Sequence, residues 1–333
     1  MNRYIKFNLL FISLFGSALC VSAQSPLTVN GAITISSANT YTTITINNAS
    51  VLTITGNISV SATQLTLQGG KLILQNGAKL TSSGSINFNQ PTTAIKGGIE
   101  LSGPGTKLVA LDANFGSFSV AQASYISVST NAEFNLTGNL NMNGNSLLTL
   151  IGNAQTVVNN GGLNMGIGSK VSVTTSSFSI RDINQSATNT EISLSQSNFT
   201  VLANSNIQGV LKLEFNSSFS QVGEMNINSS GIVNCLSGSS LNLQSNLNNG
   251  AGLSAYPNGS QPYFIFSSSL NQAINGDNKF YKVKLSGATS QKKFFSANEV
   301  TFSLDLGNSE LSTPYNTFYL SNPDPNSLLR TTG

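Results

Sequence analysis

The side chains able to do chemistry in this chain are few and scattered. It holds 12 acids and 15 bases in 333 residues, and no histidine. The side chain that most often moves protons near neutral pH and ligates metals is therefore absent. No two acids lie within four residues of one another, whereas polysaccharide-cleaving sites rely on clustered carboxylates with basic groups beside them. Asp112 and Glu133, 21 residues apart, are the one pair that a repeating fold could superpose, near the separation of about 5 Å used by retaining glycosidases. Neither has a basic or aromatic neighbour suited to a sugar, so solvated side chains are the plainer expectation. Lys79 with Glu100 and Lys170 with Glu191 share the same step and are expected to form surface ion pairs.

One basic cluster stands out. Lys279, Lys282, Lys284, Lys292 and Lys293 interleave with Phe280, Tyr281, Phe294 and Phe295. Alternation of this kind puts aromatics inward and lysines outward on strands. The five lysines with Tyr281 form a candidate surface patch for cell-surface or matrix glycans or proteins. Nucleic acid is not expected from a formal charge of only +3. The segment NNGGLNMGIGS has the glycines of a calcium-binding β-roll but no aspartate, and neither a phosphate-binding loop nor a nucleophile elbow occurs. Thr43-x-Thr45 and Thr53-x-Thr55 are too few for an ice-binding face. Arg181-Asp182 reads as a surface pair, and Cys235 as a small core residue. Catalytic residues, metal ligands and cofactors are all expected to be absent.

The elements that must carry these groups are short strands. Asn, Ser and Thr number 43, 51 and 29, while charged residues make up only 8%. Through this polar background run apolar-x-apolar triplets such as Ile44-x-Ile46, Leu52-x-Ile54, Leu65-x-Leu67 and Leu72-x-Leu74, the pattern of strands with one buried face. Ile44, Leu65 and Ile86 recur at 21 residues; so do Leu150, Val171, Ile192 and Leu213, then Val157, Phe178 and Phe199, then Val173, Leu194 and Phe215. A fixed period of this size marks a repeat architecture. Three strands per period predict an all-β, three-sided parallel β-solenoid, with inward side chains stacked in ladders and outward columns of Ser, Thr and Asn. Asn143 and Asn164 are one expected amide pair. Low charge suits the arrangement, because parallel stacking would bring like charges together at every coil. Residues 24–256 leave room for about eleven coils, a rod of about 50 Å. Register is expected to slip between Pro91 and Asp112 and again beyond Leu213.

The two ends differ from the middle. Residues 1–23 combine a basic start, Arg3 and Lys6, with an apolar run and Val21-Ser22-Ala23, the pattern of a secretory signal. Cys20 follows Leu19, which is too large for a lipidation site. Residues 257–333 are richer in charge and aromatics and are expected to be a β-rich continuation or cap, which the open end of a solenoid requires. The stretch GDNKFYKVKLSGATSQKKFFSANEVTFSLDLGNSELSTPYNTFYLSNPDPNSLLRTTG, with the signal ending VSAQ, resembles repeat units of secreted adhesin-like β-helix proteins of Bacteroidota. That resemblance implies export by the type IX route, although the C-terminal β-domain that serves this route in the family is not recognisable before Gly333. The chain is expected either to be truncated there or to leave by another route. The leading expectation is a non-enzymatic, secreted or cell-surface β-solenoid serving as a stalk or adhesin-like module. The alternatives are a carbohydrate-active β-helix enzyme, polysaccharide lyase or hydrolase, and a soluble glycan-binding module.

Overall fold

The computed structural model describes residues 25–89, 97–116, 124–287, 290–314 and 316–330. The expected secretory signal lies outside them. The described chain is a parallel β-solenoid of about 14 coils, with about 21 residues per coil. At strand spacing that makes a rod of about 65 Å.

The described coils run along three faces in turn, their strands stacked coil on coil. The first face is a ten-stranded sheet running from Ala32–Ile35 to Ile232–Cys235. The second includes Lys107–Ala110, Glu133–Leu136 and Asn198–Val201. The third includes Ala113–Phe115, Leu140–Met142 and Ser205–Ile207. Alternation in these segments turns every second side chain into one dry core. On the first face Leu148 stacks between Ile126 and Val171, and Leu150 between Val128 and Val173. Ile44, Leu65 and Ile86 stack as their spacing predicts. On the second face Phe178, Phe199 and Phe219 are vertical neighbours, the first two rings stacked at 4.7 Å.

The repeat is less uniform than a strict 21. Val51 pairs with Lys71, 20 residues on, and Lys71 with Gly98, 27 on. Gly98 pairs with Tyr125, again 27 on, whereas Glu191 pairs with Val210 at only 19. Corners absorb these differences, because there the chain is not held by a ladder. Segments 90–96 and 117–123, within the two long coils, lie outside the described residues, while the strands from Gly98–Ser102 to Ala113–Phe115 keep their register. Several expected pairings are corrected accordingly. Val171 lies opposite Leu148, not Leu150, and Ile192 opposite Leu211, not Leu213. Val157 faces outward, and Thr156 takes the core position between Phe134 and Phe178. Leu213, not Phe215, lies opposite Leu194; Phe215 sits at a corner, 60% exposed.

The amide column also has another membership. Asn164 lies opposite Asn141 rather than Asn143. Nine asparagines stack in register on the outside of the third face, Asn87, Asn114, Asn141, Asn164, Asn184, Asn206, Asn226, Asn248 and Asn275. Within it Asn141 Nδ2 donates to Asn114 Oδ1 at 2.7 Å, and Asn164 Nδ2 to Asn141 Oδ1 at 2.8 Å.

The solenoid runs on past residue 256. Leu241 pairs with Phe264, Phe264 with Val283, and Val283 with Leu304. The described residues from 257 to 330 therefore continue the rod instead of forming a separate cap. What changes is the first face, where the 3-10 turn Gly252–Ala255 follows the last strand of the ten-stranded sheet. A buried amide ladder supports the corner beside this turn: Asn249 Nδ2 donates to Asn278 Oδ1, and Asn278 Nδ2 to Asn298 Oδ1, both at 2.9 Å. Tyr256 donates its hydroxyl to the same Asn278 oxygen at 2.8 Å.

Two substitutions test the ladder. Phe199→Ala removes a buried ring from the aromatic column and is expected to lower stability by about 3–5 kcal/mol. Thr156 buries a hydroxyl with no partner among the described residues, so Thr156→Val is expected to raise stability by about 1–3 kcal/mol. Urea denaturation of both variants measures the two shifts.

Candidate functional site

The five lysines of the candidate patch are divided among three faces and the core. Lys279 lies in the strand segment that follows the 3-10 turn on the first-face side, opposite Glu299, with which it pairs at 3.4 Å. Lys282 and Lys284 point outward from the second face, opposite Tyr263 and Ile265 of the coil before. Lys293 points outward from the third face, opposite Ala273. Lys292 is fully buried, and its ammonium donates to the Ser268 carbonyl at 2.7 Å. The strand Gln291–Phe294 alternates inward and outward, and its inward positions are Lys292 and Phe294. A lysine on the inward parity has no other direction to take. The five do not form one patch.

What does assemble is an aromatic pair with one ammonium. Between Phe280 and Lys282 the ladder to the next coil shifts register, so that Phe280 opposes Val300 but Lys282 opposes Ser303. The extra residue is a bulge, and a bulge redirects side chains. It turns Phe302 outward, 42% exposed, against Tyr281, with ring centroids 4.8 Å apart and planes 26° from parallel. Lys282 Nζ lies 4.8 Å from the Phe302 ring and 5.8 Å from that of Tyr281, a cation–π arrangement. Burial raises the Tyr263 hydroxyl above its ordinary pKa, and the charge of Asp305 adds to it. This group offers apolar ring faces and a positive charge for binding, with no nucleophile–base pair. Phe302 stands 21 residues after Tyr281 in the sequence, but its alternation with the buried Leu304 would by itself place the ring inward.

The carboxylates are dispersed as well. Asp112 occupies the corner between the second and third faces, where its Oδ1 accepts the backbone N–H of Asn139 in the next coil at 2.6 Å. Glu133 begins a second-face strand opposite Lys107 and pairs with it at 2.8 Å. That ammonium holds the Glu133 carboxyl below the usual carboxylate range, against a smaller opposing effect of burial. Asp112 and Glu133 are thus fixed in different local networks. Lys170 pairs with Glu191 at 3.4 Å, as the spacing predicts. Lys79 does not pair with Glu100: it lies opposite Lys107 on the second face, and Glu100 of the first face is bound by Lys71 at 2.7 Å. Tyr125, whose ring covers the backbone of Gly98, donates its hydroxyl to Glu100 at 2.8 Å. Burial first, and then Glu100, raise the Tyr125 pKa. The 27-residue steps from Lys71 to Gly98 and from Gly98 to Tyr125 hid this trio from a period of 21.

Arg181 and Asp182 pair with each other at 3.4 Å on the surface. Cys235 is buried, and burial pushes its thiol pKa up, which makes it an inert core group. Among the described residues no three of His, Cys, Asp and Glu come together as a metal site, and no helix is long and apolar enough to cross a membrane. No protein-family model, curated protein or solved structure matches the chain significantly. The fold class is the parallel β-solenoid.

Burial lowers Lys292 from 10.5 to about 8. Between those values the unfolded chain holds a proton that the folded chain has released, so stability rises with pH across that window. It is greatest above 10.5 and falls as pH drops through about 8. Thermal melts from pH 7 to pH 10.5 are expected to show this rise in the native chain. In Lys292→Met the rise should be smaller, and the melting temperature at pH 7 higher.

Proposed function

We propose that the chain is a non-enzymatic structural stalk or adhesin-like module, secreted or held at the cell surface. The observation that carries this reading is the pairing of a continuous dry core with outward columns of uncharged side chains that bond to one another. The stacked amides from Asn87 to Asn275 are the clearest case. Such a rod keeps its length and presents chemistry at fixed height, which is what a spacer or display element requires. The basic–apolar–small order of residues 1–23 and the resemblance of residues 276–333 to secreted adhesin-like repeats support the extracellular setting.

A second reading, a glycan-binding module, is favoured by the exposed Tyr281–Phe302 pair under Lys282. The enzyme reading drew on Asp112 with Glu133, and those two groups serve separate contacts.

Antibodies raised against the folded rod are expected to label intact, unpermeabilised producing cells or to detect the chain in their medium. Purified protein is expected to leave a panel of polysaccharides uncleaved. Confinement to the cytoplasmic fraction, or steady release of reducing ends or unsaturated sugars, would overturn the proposal.

A further inference from the structure

The corner between the first and second faces carries a feature that stacking alone does not require. Coil after coil, the backbone there turns left-handed: Gly152 and Asn153 at φ 68° and 61°, Thr175 at 47°, Gln196 at 51°, and Phe215 and Asn216 at 46° and 61°. Asparagine tolerates this conformation; a bulky aromatic rarely does. Phe215 is nevertheless held in it with its ring 60% exposed, so the ring adds little to the core in return. Strain kept at an exposed position points toward function.

The same corner holds a cleft. It is lined at the corner by Asn153, Thr175 and Gln196, and beside them by Gln155, Ser177 and Asn198, which stack in register at the start of the second face. Ala154 and Ser176, both buried and small, form the floor. The volume is about 290 Å³, near the lower end for small-molecule sites. Phe215 follows Gln196 on the next coil, where its carbonyl accepts the Gln196 N–H at 3.1 Å. From Asn153 to Phe215 is three coil steps, about 15 Å.

We propose that this cleft, together with the exposed Phe215 ring on the coil beyond Gln196, binds a neutral oligosaccharide lying along the rod. The walls contain amides and hydroxyls and no ionisable side chain, so nothing in them selects a charged ligand. Amides pair donor and acceptor in the way sugar hydroxyls do. The side-chain amides of Gln155, Gln196 and Asn198 make no hydrogen bond to protein among the described residues, in contrast to the bonded asparagine column of the third face. The Phe215 ring supplies a flat apolar surface for one face of a pyranose. A peptide adding as a strand would need a free sheet edge, and the strands here are paired with the coils on both sides. This inference rests on the adhesin-like reading only in naming a ligand class for it.

The test is titration of the purified chain against an array of neutral glucose-, mannose-, galactose- and N-acetylglucosamine-based hexasaccharides, followed by calorimetry on those retained. At least one is expected to bind, with affinity unchanged between low salt and 1 M NaCl, since no charge pairing is involved. Phe215→Gly, which suits the left-handed backbone, is expected to weaken binding by about tenfold without lowering the melting temperature. The double variant Gln196→Ala, Asn198→Ala should weaken it comparably, and Leu270→Ala, which removes an exposed apolar side chain elsewhere on the rod, should leave it unchanged. Absence of binding by every neutral glycan, binding indifferent to Phe215→Gly, or binding lost with Leu270→Ala would each overturn the assignment. A chain displayed on cells that binds no neutral glycan would sink this inference and leave the stalk reading standing. Glycan binding by a chain confined to the cytoplasm would do the reverse.

Discussion

The structure depends on one constraint: each residue must be compatible with the residue directly above and below it at strand spacing. Parallel in-register stacking repeats a side chain's environment at intervals of about 4.8 Å, so a favourable neighbour becomes a ladder and an unfavourable one a recurring penalty. Aliphatic side chains satisfy the constraint on the inside, from Leu52 and Leu72 to Leu211 and Val233. Asparagine satisfies it on the outside because its amide both donates and accepts along the column. Charges satisfy it where the sign alternates, as in Lys107 over Glu133 and Lys170 over Glu191. The low proportion of charged residues follows from this constraint and does not signal disorder.

Fold class was legible in the sequence because alternation and recurrence both follow from local geometry. Parity survived even where the assigned pairing did not: Leu150 and Val171 are both inward, though on different ladders. The pairings themselves were less legible, since corners lengthen or shorten a coil without disturbing the strands on either side. One fixed period therefore misplaced Asn143, Phe215 and Val157. A slip of one residue inverts a side chain, which is why Thr156 rather than Val157 reached the core. Where two neighbouring coils keep a step of 21, as from Lys170 to Glu191 and from Phe178 to Phe199, the expectation and the register agree.

The candidate sites were hardest to read because they depend on departures from the repeat. The Tyr281–Phe302 pair needs a bulge, the Lys71–Glu100–Tyr125 trio needs two long coils, and the Asn153–Phe215 corner needs left-handed residues at matched positions. None of these appears in hydrophobic alternation. Clustering in sequence also misled in the opposite direction. Five lysines within fifteen residues turn corners between faces, and one of them falls on the inward parity. In a solenoid, neighbours in space lie one coil away, and that distance in sequence is set by the corners.

The most direct test of stacking in register is the removal of residues 170–190, one coil of 21 counted from Lys170 to Glu191. The cut would bring Glu191–Ser195 onto Leu147–Ile151, and Asn198–Val201 onto the second-face segment that starts at Gln155. Denaturant unfolding of this variant should remain a single cooperative transition with a midpoint close to that of the full chain, while removal of residues 170–179 alone should abolish it. If the whole-coil deletion loses cooperativity as completely as the half-coil deletion, coils are not interchangeable stacking units and the account is contradicted.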